Sequence, residues 1–168
     1  MLYCIRYKMG KWGDPALAVV WATVLLFPAC NLASGLPAVG LSMAWAALAA
    51  VAEECFFRGF VFTALQKRGK FPAAVISSAS FALLHLVNLA NGPVGYTLLQ
   101  VAAAFCVGFA LCGLLWKTKK LWLCILCHLL INLTGGETLS PLGVSLTMLC
   151  IFLYAVFGLR LLKDEVRL

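Results

Sequence analysis

The residues best suited to chemistry in this chain are three charged side chains within an apolar run. Glu53, Glu54 and Arg58 lie inside the apolar stretch 36–65. A charge near the centre of a bilayer costs about 2.5–3.5 kcal/mol on insertion scales, so adjacent charges require compensation. Glu54 and Arg58 stand at positions i and i+4, so a helix places one above the other and lets them pair.

Glu53 has no such partner, because Arg58 follows it at i+5 and points in another direction. We expect the Glu53 carboxylate to find a hydrogen-bond donor on another helix, to be protonated, or to face water. A helix that carries an unpaired carboxylate beside a paired one is suited to catalysis.

Composition places the chain among polytopic membrane proteins. It has 168 residues, of which 64% are hydrophobic and 11% are charged. The formal net charge of +7 could suggest a nucleic-acid partner, but apart from Arg58 the basic residues are grouped at the ends of apolar runs. Every second connection has none, as the positive-inside rule requires, so we expect a lipid bilayer and no nucleic acid. The basic clusters are Arg6/Lys8/Lys11, Lys67/Arg68/Lys70, Lys117/Lys119/Lys120 and Arg160/Lys163/Arg167.

The apolar runs predict an all-α bundle of six transmembrane helices, in one domain over residues 1–168 with both termini in the cytoplasm. The fifth helix would be only about 21 Å long, less than the hydrocarbon thickness of about 30 Å. It carries His128 and Asn132, which suggests a water-accessible pocket or local thinning of the bilayer where it ends. The predicted spans are 15–33, 36–65, 72–90, 94–116, 121–134 and 139–162.

Polar residues of three predicted spans fall at overlapping depths. Counted from the cytoplasmic ends at 1.5 Å per residue, the depths are roughly 16 Å for Glu54, 20 Å for His85, 10 Å for His128 and 16 Å for Asn132. His128 and Asn132 also share a helix face, since they are at i and i+4. We therefore predict one buried polar site built by spans two, three and five.

Three motifs carry these residues: Glu53-Glu54-x-x-x-Arg58, Phe81-x-x-x-His85 and His128-x-x-x-Asn132. They resemble the three motifs of the CPBP family, the CAAX proteases and bacteriocin-processing enzymes also called the Abi family. The resemblance spans residues 53–132, with each motif on a separate predicted helix. It implies an intramembrane endopeptidase similar to the eukaryotic CAAX prenyl protease, with a glutamate-and-histidine mechanism whose metal dependence has been argued both ways.

The residue types fit peptide hydrolysis. Glu53 could act as general base on a water that His85 shares and orients. Arg58 would pair with Glu54, which in turn fixes the geometry of the site. His128 and Asn132 are suitable donors to the oxyanion, and one such donor lowers the barrier by about 2.7–4 kcal/mol.

A metal-dependent version needs three or four protein ligands and an open position for water. Glu53, His85 and His128 are the candidate ligands for Zn²⁺. Asn132 is a poor Zn²⁺ ligand, and the chain has no His-Glu-x-x-His helix, so the sequence favours a glutamic protease without a metal. No cofactor is predicted.

Two functions from other classes are open at this point. Intramembrane Glu, His and Arg also mark proton or ion pathways, although the chain shows no inverted repeat typical of transporters. A non-catalytic family member could act as a membrane scaffold or a bacteriocin-immunity factor. For a protease, the substrate would be a membrane-anchored protein or peptide, either a prenylated precursor or a C-terminal sorting tail. The compact form suggests a multi-pass protein of the bacterial inner membrane.

The cysteines are predicted to be small packing residues and not a disulfide framework, because most lie inside apolar runs. Cys124-x-x-Cys127-His128 spells the attachment pattern of a c-type haem. Haem attachment requires an exported and accessible segment, whereas this one is predicted to be helical and inside the bilayer. We therefore reject haem.

Overall fold

The structure is a computed structural model that describes residues 41–90, 92–134 and 141–163. The described residues form helices joined by short turns and contain no β-strand, which confirms the all-α class for this part of the chain. The helices are α1 (Leu41–Glu54), α2 (Lys70–Leu84), α3 (Val94–Thr118), α4 (Leu121–Thr134) and α5 (Pro141–Lys163). Between α1 and α2 lie a π-helical segment (Cys55–Phe62), a single α-helical turn (Thr63–Leu65) and a 3₁₀ turn (Gln66–Arg68), and a 3₁₀ segment (His85–Ala90) follows α2.

Three of the described helices are long and apolar enough to cross a membrane: Lys70–Ala90, Val94–Thr118 and Pro141–Lys163. They coincide with the third, fourth and sixth predicted spans. Leu121–Leu133 is a shorter apolar helix, as predicted for the fifth span. The first predicted span, 15–33, and both termini lie outside the described residues, so the total of six spans and the cytoplasmic termini stay predictions.

The second predicted span, 36–65, is helical from Leu41 onward but changes its geometry after Glu54. The π-helical segment has looser turns than an α-helix, and such segments are frequent at functional sites. Two of its carbonyl oxygens accept hydrogen bonds from side-chain hydroxyl groups. Ser77 Oγ donates to Phe57 O at 2.8 Å, and Thr63 Oγ1 donates to Arg58 O at 3.0 Å. In an apolar environment these bonds hold the irregular backbone in place.

Helix α3 is the centre of the described bundle, since it contributes to all three clusters of buried apolar side chains. Its residue Leu111 packs with Tyr154 of α5 and Cys124 of α4, while Phe109 packs with Ala73 of α2. A third cluster joins Ala104 of α3 to side chains near the π-helical segment. The position of α3 therefore determines how the other helices meet.

Glycines allow α3 and α5 to approach closely. A Cβ atom at Gly113 would lie 2.8 Å from Leu161 Cβ, and one at Gly158 would lie 2.5 Å from Phe109 Cδ1 and 3.1 Å from Ala110 N. Without a hydrophobic driving force inside lipid, helix association depends on such close packing of small residues. The order of these contacts shows that α3 and α5 run in the same direction.

None of the cysteines that the structure describes forms a disulfide: Cys55, Cys106, Cys112, Cys124, Cys127 and Cys150. The last four are buried, which confirms for these positions that the cysteines are packing residues and not disulfides. Cys4 and Cys30 lie outside the described residues.

We predict that Gly158→Ala destabilises the protein by about 1–3 kcal/mol, because its methyl group overlaps Phe109 and a backbone nitrogen of α3. The measurement is the unfolding temperature of the purified protein in detergent. Gly95→Ala is the matched control, since a Cβ atom there has no neighbour within 4 Å. That variant should be unchanged or slightly more stable, as Ala is the better helix former. Equal losses for both variants would contradict the packing argument.

Candidate active site

The predicted catalytic residues other than Asn132 lie on four elements, namely α1, the π-helical segment, α4 and the 3₁₀ segment after α2. Glu53 and Glu54 are the last residues of α1, and Arg58 follows in the π-helical segment. His128 lies near the middle of α4, while His85 is the first residue after α2.

The Glu54 carboxylate is shared by two donors. Arg58 Nη1 donates to Glu54 Oε1 at 2.7 Å, so the predicted pair is present. His128 Nδ1 lies 2.8 Å from the same oxygen and adds a contact between α1 and α4. The Glu54 and Arg58 side chains have no solvent-exposed surface, and His128 is 4% exposed. This charged cluster is thus fully enclosed by protein.

Both histidines are held by the Nδ1 atom. A carboxylate oxygen accepts hydrogen bonds, so His128 Nδ1 carries the proton that it donates to Glu54. His85 Nδ1 lies 3.1 Å from Phe81 O, which also only accepts. The Nε2 atom of each ring is therefore the one available for chemistry, an arrangement in which a neighbouring acceptor fixes the tautomer and the orientation of the ring.

Glu53 has a different environment from Glu54, although the two are adjacent. Its side chain is 35% exposed, and its Oε2 lies 3.5 Å from His128 Nε2. Of the three alternatives expected for this carboxylate, exposure is met, whereas the nitrogen that it faces on another helix is the atom of the His128 ring without the proton. His128 thus stands between a buried glutamate on its Nδ1 side and a partly exposed one on its Nε2 side.

Phe81 is the common neighbour of the charged groups and the two imidazoles. The Arg58 guanidinium lies 4.4 Å from the centre of the Phe81 ring, as in a cation–π contact. The rings of His85 and His128 meet Phe81 edge to face, with centroids 5.0 and 5.5 Å away. Arg58 Nε and Nη2 are buried and have no hydrogen-bond partner among the described residues, so the aromatic face supplies compensation that hydrogen bonds do not.

Gly108 of α3 completes the enclosure of Arg58. A Cβ atom at this position would lie 2.9 Å from Arg58 Nη2 and 3.3 Å from both Phe81 Cδ1 and Ser78 Cβ. A residue with a side chain at this position would therefore have to displace the guanidinium. Sequence reasoning treated this helix as structural and missed the position. The sequence offers no signal for it beyond a glycine inside an apolar helix.

Phe81 was recognised only as the first residue of a motif and not as a member of the site. The signal was available, because Phe81 and His85 are at i and i+4 and face the same way on a helix. What the spacing could not indicate is that Arg58 and His128, from other helices, pack on the same ring.

Asn132 lies one turn beyond His128 on α4, but its side chain is exposed. Its Nδ2 donates to Ala46 O of α1 at 3.4 Å, a long contact. Among the described residues, no hydrogen bond joins Asn132 to another predicted site residue. Its amide is therefore near the site on the same helix face and is held only weakly.

The donor set does not fit a resident metal ion. Within the described ranges, no three His, Cys, Asp or Glu side chains are grouped so that they could hold one. The Nδ1 atom of His128 and Oε1 of Glu54 are already paired with each other. Glu53, His85 and His128, the candidate Zn²⁺ ligands, do not form such a group here.

Comparison with models of known protein families gives a match. Residues 35–134 match the family model Rce1-like, described as type II CAAX prenyl endopeptidase Rce1-like. The matched range contains all three motifs and covers more than half of the chain. Neither the curated proteins nor the solved structures contain a match to the chain.

We predict that Glu54→Gln and Glu53→Gln differ widely in stability. Removing the charge of Glu54 leaves Arg58 buried without its counterion, which should cost about 3–5 kcal/mol. Glu53 is partly exposed and its contact is long, so the same change there should cost less than about 1 kcal/mol. Denaturant unfolding in detergent measures both values. Similar losses at the two positions would contradict the assigned environments.

We also predict that weakening the negative face of the Phe81 ring destabilises the protein even when the ring shape is kept. Fluorinated phenylalanines at position 81 should lower stability in the order of their fluorine content, by up to about 2 kcal/mol for a desolvated cation–π contact. Phe62 is fully buried in a separate apolar cluster and provides the matched position. An equal response at both positions would show that Arg58 does not depend on the ring.

Proposed function

The chain belongs to the Rce1-like family of type II CAAX prenyl endopeptidases, and on this premise we propose that it is an intramembrane endopeptidase that uses Glu53 as its general base. The observation that carries the proposal is the arrangement of His128 between two glutamates. Its Nδ1 is 2.8 Å from buried Glu54, and its Nε2 is 3.5 Å from partly exposed Glu53.

The two glutamates have different roles in this proposal: Glu54 positions other side chains, and Glu53 takes part in the reaction. Glu54 Oε1 accepts from both Arg58 and His128, and the whole side chain is buried, so water cannot reach this carboxylate. Glu53 can reach water, because a third of its side chain is exposed. A general base must lie within hydrogen-bond reach of the proton that it removes. Only Glu53 of the two meets this requirement, so Glu54 and Arg58 are positioning residues in the proposed mechanism.

The proposed reaction begins with a water molecule held by Glu53 and by Nε2 of His85. Glu53 takes a proton from the water, and the water oxygen forms a bond to the scissile carbonyl carbon. The carbonyl becomes an oxyanion in the tetrahedral intermediate. The carbon–nitrogen bond then breaks, and the proton on Glu53 passes to the leaving amine. Glu53 ends in the form in which it started, and the products are an acid and an amine.

Two side chains on one face of α4 serve as oxyanion donors in this proposal. Asn132 can turn its amide from the long contact with Ala46 O towards the substrate. His128 donates from Nε2 when its ring carries both protons, while Nδ1 stays bonded to Glu54. One donor of this kind lowers the barrier by about 2.7–4 kcal/mol.

Membership of the family implies a membrane-associated peptide substrate. We propose that this is a prenylated precursor or a C-terminal sorting tail, cleaved near the bilayer by a multi-pass protein. The basic clusters at alternate connections support cytoplasmic termini, and the compact form supports the bacterial inner membrane. The mechanism uses no metal, because the candidate ligands do not form a metal-binding group within the described ranges.

The test is cleavage of a panel of membrane-anchored peptides, including prenylated ones, by the full chain in liposomes. Glu53→Gln should lower the cleavage rate by at least 10²-fold, the usual contribution of a general base. Its unfolding temperature should stay near that of the unchanged protein, so the loss cannot be ascribed to misfolding. Ser145→Ala is the control, since its hydroxyl bonds only to the backbone of its own helix.

A strong chelator is added in a parallel reaction. Continued cleavage supports the proposed glutamic mechanism. Cleavage that is abolished by the chelator and restored by Zn²⁺ overturns it in favour of a metalloprotease. Equal cleavage by the unchanged protein and by Glu53→Gln removes Glu53 from the mechanism, and a lack of cleavage by the unchanged protein with every peptide of the panel counts against a protease.

A further inference from the structure

Two lysines from different helices share one aromatic ring at the end of α3. Lys119 Nζ lies 3.9 Å from the centroid of the Trp116 ring, and Lys70 Nζ lies 5.6 Å from it. Trp116 Nε1 is buried and has no hydrogen-bond acceptor within the part of the chain that the structure describes, so the indole contributes through the face of its ring. We call Lys70, Lys119 and Trp116 the Trp116 cluster.

The positive charge of this cluster is not balanced by the described residues. The two ammonium nitrogens are within about 10 Å of each other, about one Debye length at 0.1 M salt. The acids that the structure describes are Glu53 and Glu54, which contact His128 instead. Neither lysine forms an ion pair within the described ranges. An anion placed between the two ammonium groups would remove this repulsion.

Lys119 occupies a backbone conformation that ordinarily belongs to glycine. Its φ of 57° makes it the one described residue other than glycine with a positive φ. It caps α3, with its N–H donating to Leu115 O at 2.8 Å. Glycine adopts this conformation at a helix end without strain, whereas a residue with a Cβ atom does not. The lysine side chain is therefore present at a cost to the backbone.

Partial burial of the ammonium group lowers the pKa of Lys119, although the residue as a whole is exposed. An ammonium group without a carboxylate partner among the described residues gains from a bound anion. Lys70 contributes from the first residue of α2, where the backbone N–H groups of the helix end also favour negative charge.

The cluster lies where an apolar helix ends, and tryptophan and lysine at that position are typical of the membrane interface. Other basic residues are at the same end. Lys67 precedes α2, and the last turn of α5 carries Arg160 and Lys163 next to Leu161, which packs on α3. We propose that the Trp116 cluster binds the phosphate of an anionic phospholipid headgroup, with both ammonium groups on the phosphate and the Trp116 ring beside the lipid.

The experiment uses the full chain, purified and delipidated in detergent. Short-chain phosphatidylglycerol, phosphatidylcholine or inorganic phosphate is added, and the unfolding temperature and the lipid adducts in native mass spectrometry are measured. We expect phosphatidylglycerol to raise the unfolding temperature by several degrees and to remain bound, whereas phosphatidylcholine and inorganic phosphate do neither.

Lys119→Gly is the decisive variant, because it relieves the backbone strain and removes the ammonium. We expect it to be at least as stable as the unchanged protein without lipid, yet to bind phosphatidylglycerol about fivefold more weakly. Lys70→Gln should weaken binding to a similar degree. Lys67→Gln is the matched control, since it removes the same charge from the same end without touching Trp116, and its binding should be unchanged.

Three results would overturn the proposal. Lys119→Gly could retain the full response to phosphatidylglycerol, or Lys67→Gln could lose as much as Lys70→Gln, which would indicate attraction to the general charge of this face. Inorganic phosphate alone could reproduce the stabilisation, which would indicate a site for the free ion. None of these readouts involves proteolysis, so the outcome is independent of the proposed enzymatic function.

Discussion

The site depends on a single buried carboxylate oxygen. Glu54 Oε1 accepts from Arg58 at 2.7 Å and from His128 at 2.8 Å, and it thereby links α1, the π-helical segment and α4. An ion pair without solvent must recover a large desolvation cost through good geometry. The short Arg58–Glu54 bond and the Phe81 ring beside the guanidinium offset part of this cost, while Glu54 Oε2 and two guanidinium nitrogens have no hydrogen-bond partner among the described residues.

Glu53 and Glu54 are adjacent on one helix, but Glu54 is buried and Glu53 is partly exposed. This difference in burial gives two side chains of the same chemistry different roles. Successive residues of a helix point about 100° apart, so one carboxylate can face the core while the next faces an opening. Glu54 accepts from Arg58 and from His128, and the second of these bonds fixes the imidazole of His128. Glu53 meets the other side of the same imidazole at 3.5 Å and retains access to solvent. Rigidity on one side and accessibility on the other are what a hydrolytic site needs.

The sequence predicted what depends on spacing within one helix and on depth in the bilayer. The Glu54–Arg58 pair followed from an i, i+4 relation, and the grouping of residues from different spans followed from counting depth. It could not predict contacts that depend on how helices rotate against one another, such as the packing of Arg58 and His128 on Phe81. It also missed the π-helical segment, because the hydroxyls that hold it come from Ser77, on another helix, and from Thr63. The contact of Asn132 likewise depends on how helices pack. Its spacing places it beside His128, but its amide donates a hydrogen bond to Ala46 O of α1.

Helix α3 connects the enclosed site with the membrane surface. Gly108 sits against Arg58, and Trp116 lies eight residues further along the same helix, about 12 Å away by the helical rise. Helix α3 passes so close to Arg58 at Gly108 that an added Cβ atom would lie 2.9 Å from the guanidinium. Any ligand that fixes the end of α3 at the interface therefore also restrains the wall of the site. The strained cap at Lys119 lies at this end of α3, where the proposed lipid would act.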